Sequence, residues 1–165
     1  ADRLDYRESA MNHAMLITVT RALHFDAGHR IPDHQSQCRN MHGHRYTLEI
    51  TLAGPVSTVD GAPDHGMVLD FSDVKAIAKE LIVDVWDHAF LVYSGDTVVR
   101  NFLESMADHK TVVLDRVPTA ENLVQIAFDT LAAAYLARYG DTLRLTHARL
   151  YETPNCWADC YAAEA

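Results

Sequence analysis

The chain has 165 residues, enough for one domain with a sizeable core, and its 48% hydrophobic and 22% charged composition excludes a disordered polymer. A formal net charge of −9 argues against a nucleic-acid partner, which would need a basic face. No apolar run reaches the length of a membrane span, and three cysteines, an odd number, point away from a disulfide framework toward a reducing, cytoplasmic setting.

Residues 1–13 read as a flexible arm, and 14–165 as a single domain. Ala14 to Phe25 is rich in β-branched residues and predicts a strand. His44 to Ala53 alternates Tyr46, Leu48, Ile50 and Leu52 with Thr47, Glu49 and Thr51, which predicts a half-buried strand. Gly54-Pro55 and Asp60-Gly61-Ala62-Pro63 then supply turns.

Val74, Ile77, Ala78, Leu81, Ile82 and Val85 recur at helical spacing, with Asp70 or Ser72 as the N-cap. A second helix begins after Pro118, is capped by Thr119 and ends at Gly140. Its stripe is Leu123, Ile126, Ala127, Thr130, Leu131, Ala134 and Tyr135. Between the helices, Tyr93 to Asp115 is mixed, with Thr111–Leu114 a short strand. Leu143 to Glu152 and Cys156 to Ala162 close the chain as two strands. This order, β-β-α-α-β-β, predicts an α+β fold: a four-stranded antiparallel sheet with two helices on one face. The uncovered edges predict a homo-oligomer assembled through the sheet.

Three histidines carry the chemical signal. His42 and His44 lie two apart at the start of a strand, so their side chains share a face. His29 follows the preceding strand and can meet them across the sheet. Three neutral imidazoles leave one position open on a tetrahedral Zn²⁺, the pattern of catalytic zinc. Cys38 precedes His42 by four residues and is either a thiol that acts on the open position or a fourth ligand of a structural site. Residues 21–45 carry four arginines against two aspartates, a local charge of +4 − 2 = +2 that suits an anionic ligand.

The Asp87-His88 pair ends the first helix. There a carboxylate can orient an imidazole in one pocket, or the histidine can simply face the helix dipole. Glu152 is either a solvated edge residue or an acceptor for two parallel N–H groups of a ligand. Cys156 and Cys160 read as small buried hydrophobes.

Several segments together resemble the 6-pyruvoyltetrahydropterin synthase / 6-carboxytetrahydropterin synthase family. They are Phe25-x-Ala27-x-His29, Cys38-x₃-His42-Gly43-His44, Leu69-Asp70-Phe71, Asp87-His88, Pro118-Thr119-Ala120-Glu121-Asn122 and Glu152-Thr153. The resemblance spans residues 16–162 and implies the tunnelling fold, in which subunits form a barrel-bearing trimer or a hexamer of two trimers. It also implies active sites at subunit interfaces, so that Cys38 and Glu152 of one site can come from different chains. The substrate implied is a dihydropterin triphosphate. His29, His42 and His44 would hold Zn²⁺, and Cys38 would be the general base, tuned by Asp87 and His88. Glu152 would anchor the pterin, with Thr119 and Glu121 lining its pocket. The local charge adds Arg30 as a contact for the triphosphate. Three residues separate Cys38 from His42-Gly43-His44, a spacing similar to the bacterial 6-carboxytetrahydropterin synthases rather than the animal-type pyruvoyl enzymes.

Overall fold

The computed structural model describes residues 16–163, so the arm expected over 1–13 lies outside the described residues. A long hairpin comes first. Strand β1 (Ile17–His29) pairs antiparallel with β2 (His42–Gly54), in register from Ile17↔Gly54 to His29↔His42. Each strand alternates along its length, so Phe25, Ala27 and His29 share one face with His42, His44, Tyr46, Leu48 and Ile50.

The first helix is three consecutive pieces: α1 (Phe71–Ala78), a π-helical turn (Lys79–Val83) and α2 (Asp84–Trp86). Asp70 is its N-cap, accepting from the Ser72 amide at 2.6 Å. The buried positions are Val74, Ala78, Ile82 and Trp86, each four residues after the last. In a regular helix such a row drifts by about 40° per step. The π turn adds one residue and brings Trp86 back to the core side. The same phase change leaves Leu81 and Val85 exposed, against the expectation that both belong to the buried stripe.

Strand β3 (Ala89–Tyr93), helix α3 (Thr97–Glu104) and strand β4 (Thr111–Leu114) follow. Helix α4 (Ala120–Tyr139) runs from the Thr119 cap to Gly140, which takes the positive φ of 66° that ends the helix without strain. Of its expected stripe, Thr130 is exposed and bonds the Ile126 carbonyl instead, while Val124 and Phe128 are buried. Strands β5 (Arg144–Thr153) and β6 (Cys156–Tyr161) complete the sheet.

The sheet order is β4-β3-β1-β2-β5-β6. Its β1-β2-β5-β6 part is the expected antiparallel unit. Four strands become six because β3 and β4 join the β1 edge in parallel. The main core lies between the sheet and α1 and α4, where Leu48, Ile50, Leu131 and Leu150 have no exposed surface. Each such side chain stabilises the fold by about 1.5–3 kcal/mol relative to exposure. The Tyr135 hydroxyl reaches from α4 to the Val74 carbonyl at 2.6 Å and ties the two helices together. A smaller cluster packs Val99 and Leu103 of α3 on Val92 and Phe90 of β3, while Leu91 between them faces the main core. Helix α3 therefore covers the opposite face from the two expected helices.

Candidate metal and substrate site

The helix-facing row of β1 and β2 changes character at one end. Phe25 stacks on Tyr46 with ring centroids 5.1 Å apart, and beyond them the row continues as His29, His42 and His44. Glycine at 43 permits the close approach of the strands there, since a Cβ would lie 2.9 Å from the Ala27 carbonyl oxygen.

The three histidines offer ligand nitrogens that all lie within 4.8 Å of one another. Neither Cys38 nor Glu152 joins this cluster. His29 donates through Nδ1 to the Pro118 carbonyl at 2.7 Å, and His42 through Nδ1 to the Asn40 carbonyl at 2.7 Å. A carbonyl only accepts, so both protons sit on Nδ1 and both Nε2 atoms present bare lone pairs. Those two Nε2 atoms are 3.1 Å apart. Two facing lone pairs at that distance repel unless a cation lies against them. His44 Nε2 is buried with no hydrogen-bond partner among the described residues. Two unprotonated nitrogens on oriented rings and a third, unpartnered imidazole nitrogen beside them suit a metal ion. Burial holds the His29 and His44 pKa values below that of an ordinary imidazole. For His29 the Pro118 carbonyl and Glu152 pull partly back, and for His44 Glu152 does.

Glu152 enters from β5, with its carboxylate oxygens 3.9 Å from His29 Nε2 and 3.6 Å from His44 Nε2. A cavity of about 330 Å³ opens beside the cluster, lined by His29, Cys38, Thr119, Glu121 and Glu152 among others. Cys38 sits in a short 3₁₀ turn (Gln37–Arg39) between β1 and β2. Thr119 and Glu121 come from the start of α4, where Thr119 Oγ1 accepts from the Asn122 amide at 3.3 Å. One chain thus holds Cys38 and Glu152 in a single cavity, where the resemblance allowed them to come from different chains.

Three other predicted residues lie apart from this cavity. Asp87 and His88 form the expected pair: His88 Nδ1 donates to Asp87 Oδ2 at 2.8 Å. His88, however, lines a second cleft with Asp26, Gly28, His44 and Arg45, so His44 is the one site histidine that borders it. Asp87 is held well below the usual carboxylate range, first by the Asp26 amide and then by His88. Arg30 is engaged by Asp96, which takes its Nε at 2.6 Å and Nη2 at 2.7 Å. That two-pronged pair neutralises the guanidinium, and Arg30 does not line the cavity.

Sequence reasoning missed four contributors. The Pro118 and Asn40 carbonyls orient the rings but leave no trace in residue identity. Asp96 gives no local signal for its partner, 66 positions away. Cys156, expected to be buried, is exposed and lines the cavity, whereas Cys160 does pack on the core.

Comparison with known proteins agrees with this geometry. A protein from Rickettsia bellii called 6-carboxy-5,6,7,8-tetrahydropterin synthase is 35% identical over 144 residues, covering 87% of this chain and 99% of that protein. One of the same name from Haemophilus influenzae is 28% identical over 147 residues, with 87% and 98% covered. Among solved structures, an uncharacterized protein from Wolinella succinogenes superposes with a TM-score of 0.74 at 19% identity, covering 90% of this chain and 99% of that one. The 6-pyruvoyl tetrahydropterin synthase of Caenorhabditis elegans superposes with a TM-score of 0.62 at 23% identity, covering 90% and 97%. These superpositions bear out the tunnelling-type α+β fold. The sequence model described as 6-pyruvoyl tetrahydropterin synthase matches residues 18–163, so the chain belongs to that family.

Proposed function

We propose that this chain is a zinc-dependent lyase acting on 7,8-dihydroneopterin triphosphate. With one water consumed, the products would be 6-carboxy-5,6,7,8-tetrahydropterin, acetaldehyde and triphosphate. The observation that carries the reading is the set of bare imidazole nitrogens beside a cavity that also holds Cys38 and Glu152. The end-to-end similarity to bacterial relatives named for the carboxy product favours that product, as does the three-residue spacing before His42.

Each residue then has a role suited to its place. His29, His42 and His44 hold Zn²⁺, which when bound supplies Lewis-acid polarisation of side-chain oxygens. Cys38 removes a proton as general base. Glu152 accepts the parallel N–H groups of the pterin edge. Thr119 and Glu121 shape the cavity around the ring. Asp87 orients His88, and the pair serves proton transfer at the cavity of an adjacent copy. That division of labour requires a homo-oligomer, a trimer or hexamer.

The test is a product assay with 7,8-dihydroneopterin triphosphate, with and without a zinc chelator, read by mass spectrometry. Chelator-sensitive 6-carboxytetrahydropterin and acetaldehyde are expected. A 6-pyruvoyl product would move the chain to the other branch of the family. Cys38→Ala should lower turnover by at least about 100-fold while zinc stays bound. Loss of zinc instead would make Cys38 a ligand of a structural site.

A further inference from the structure

The segment between β3 and β4 supplies Asp96 to Arg30 and a second side chain, Lys110, to the Asp87-His88 turn. Lys110 stands just before β4, and its carbonyl accepts from the Phe90 amide at 3.0 Å. Its ammonium reaches back to the end of the helix and donates to the Asp87 carbonyl at 2.6 Å and the Asp84 carbonyl at 2.8 Å. The turn that it grips is strained, because His88 has φ of 58°, a left-handed conformation that side chains other than glycine rarely adopt. Asp26 clamps the other side: its carbonyl accepts from the His88 amide at 2.6 Å, and its amide donates to Asp87 Oδ1 at 2.9 Å. Asp87 Oδ2 takes His88 Nδ1, so Nε2 is the ring nitrogen left for a reacting partner. The His88 side chain is 78% exposed, so packing does not fix it. Strain held at an exposed polar residue by converging hydrogen bonds marks a position whose orientation matters.

We infer that Lys110 is a positioning residue that locks the left-handed Asp87-His88 turn, which makes the β3–α3–β4 segment part of the catalytic apparatus. The inference rests on the reading that Asp87 and His88 serve proton transfer. Lys110 acts through backbone carbonyls and does not meet the substrate itself. Without its ammonium, the turn can relax to an ordinary conformation and His88 swings off line.

The test compares Lys110→Met, Lys110→Arg and His88→Ala in the purified full chain with 7,8-dihydroneopterin triphosphate. Lys110→Met should lower kcat by up to about 100-fold with KM and zinc content unchanged, the scale of a reacting group displaced by about 1 Å. Its pH–rate profile should shift, and the His88 Nδ1–H tautomer seen by nitrogen-detected NMR should give way to a mixture. Lys110→Arg, which keeps the donors, should restore most of the rate. Wild-type kcat and profile in Lys110→Met, with His88→Ala inactive, would overturn the positioning role alone. A fall in kcat matched by loss of fold or zinc would reduce Lys110 to a helix cap and overturn it too. Full activity in His88→Ala would remove the reading on which the inference stands.

Discussion

Tyr46 shows how a site residue can hide inside a core stripe. It alternates with Leu48 and Ile50 and is fully buried, yet its hydroxyl finds no partner among the described residues. Its ring meets His29 and His44 edge-on at 5.9 and 5.6 Å, and burial, aided by Glu152, pushes the phenol pKa up. An orphaned buried hydroxyl costs free energy, so Tyr46→Phe should leave the metal-free protein as stable as before or up to about 1 kcal/mol more stable, measured by urea unfolding. A loss of more than that would mean the hydroxyl is bonded in solution. The histidines give a second residue-scale prediction. Unfolded imidazoles take protons near pH 6.5, whereas burial keeps folded His29 and His44 neutral to lower pH. Below pH 6.5 the unfolded chain therefore binds more protons, and the metal-free protein should lose stability from there down through the lowered folded values. Equal urea midpoints at pH 7.5 and pH 5.5 would contradict this. The clustering of His42 and His44 was legible from the H-x-H spacing because alternation on a strand forces the two rings onto one face. The acceptors that fix the rings were illegible, because every residue carries a carbonyl.

Among the elements, β2 and α4 were readable nearly to the residue, because each has a strong period and marked ends in Gly54, Thr119 and Gly140. Strand β3 was not, since five apolar-to-mixed residues after a helix fit several structures. Helix α3 was hidden for a related reason: it buries Val99 and Leu103 but exposes Val98 and Phe102, so no single stripe stands out. The π turn was equally hidden, because a row spaced by four reads as an ordinary helix until the drift is added up. It also yields a test. Deleting Leu81 should remove the extra residue and let the helix run regularly, with Val74, Ala78, Ile82 and Trp86 at i, i+4, i+7 and i+11, which keeps Trp86 within about 20° of the buried row. In a Trp157→Phe background, far-UV circular dichroism and the buried-type emission of Trp86 should both be kept. A red shift of that emission would show that the extra residue does not set the phase.

At the level of the whole molecule, the sheet ends in two open strands, β4 and β6, and Asp87-His88 stands away from the cavity that holds Cys38. Both features favour assembly, and light scattering at micromolar concentration should give three or six times 18.5 kDa. A single-chain mass would remove the shared site. The histidine cluster depends on the rest of the chain in a further way. Its three nitrogens belong to one hairpin, but the carbonyl that orients His29 belongs to Pro118, and Thr119 and Glu152 arrive through α4 and β5. During synthesis, the emerging β1–β2 hairpin carries all three imidazoles before the ribosome has made the residue that fixes the His29 ring. Damage that displaces Pro118 should accordingly lower the zinc content of the purified protein as well as its turnover.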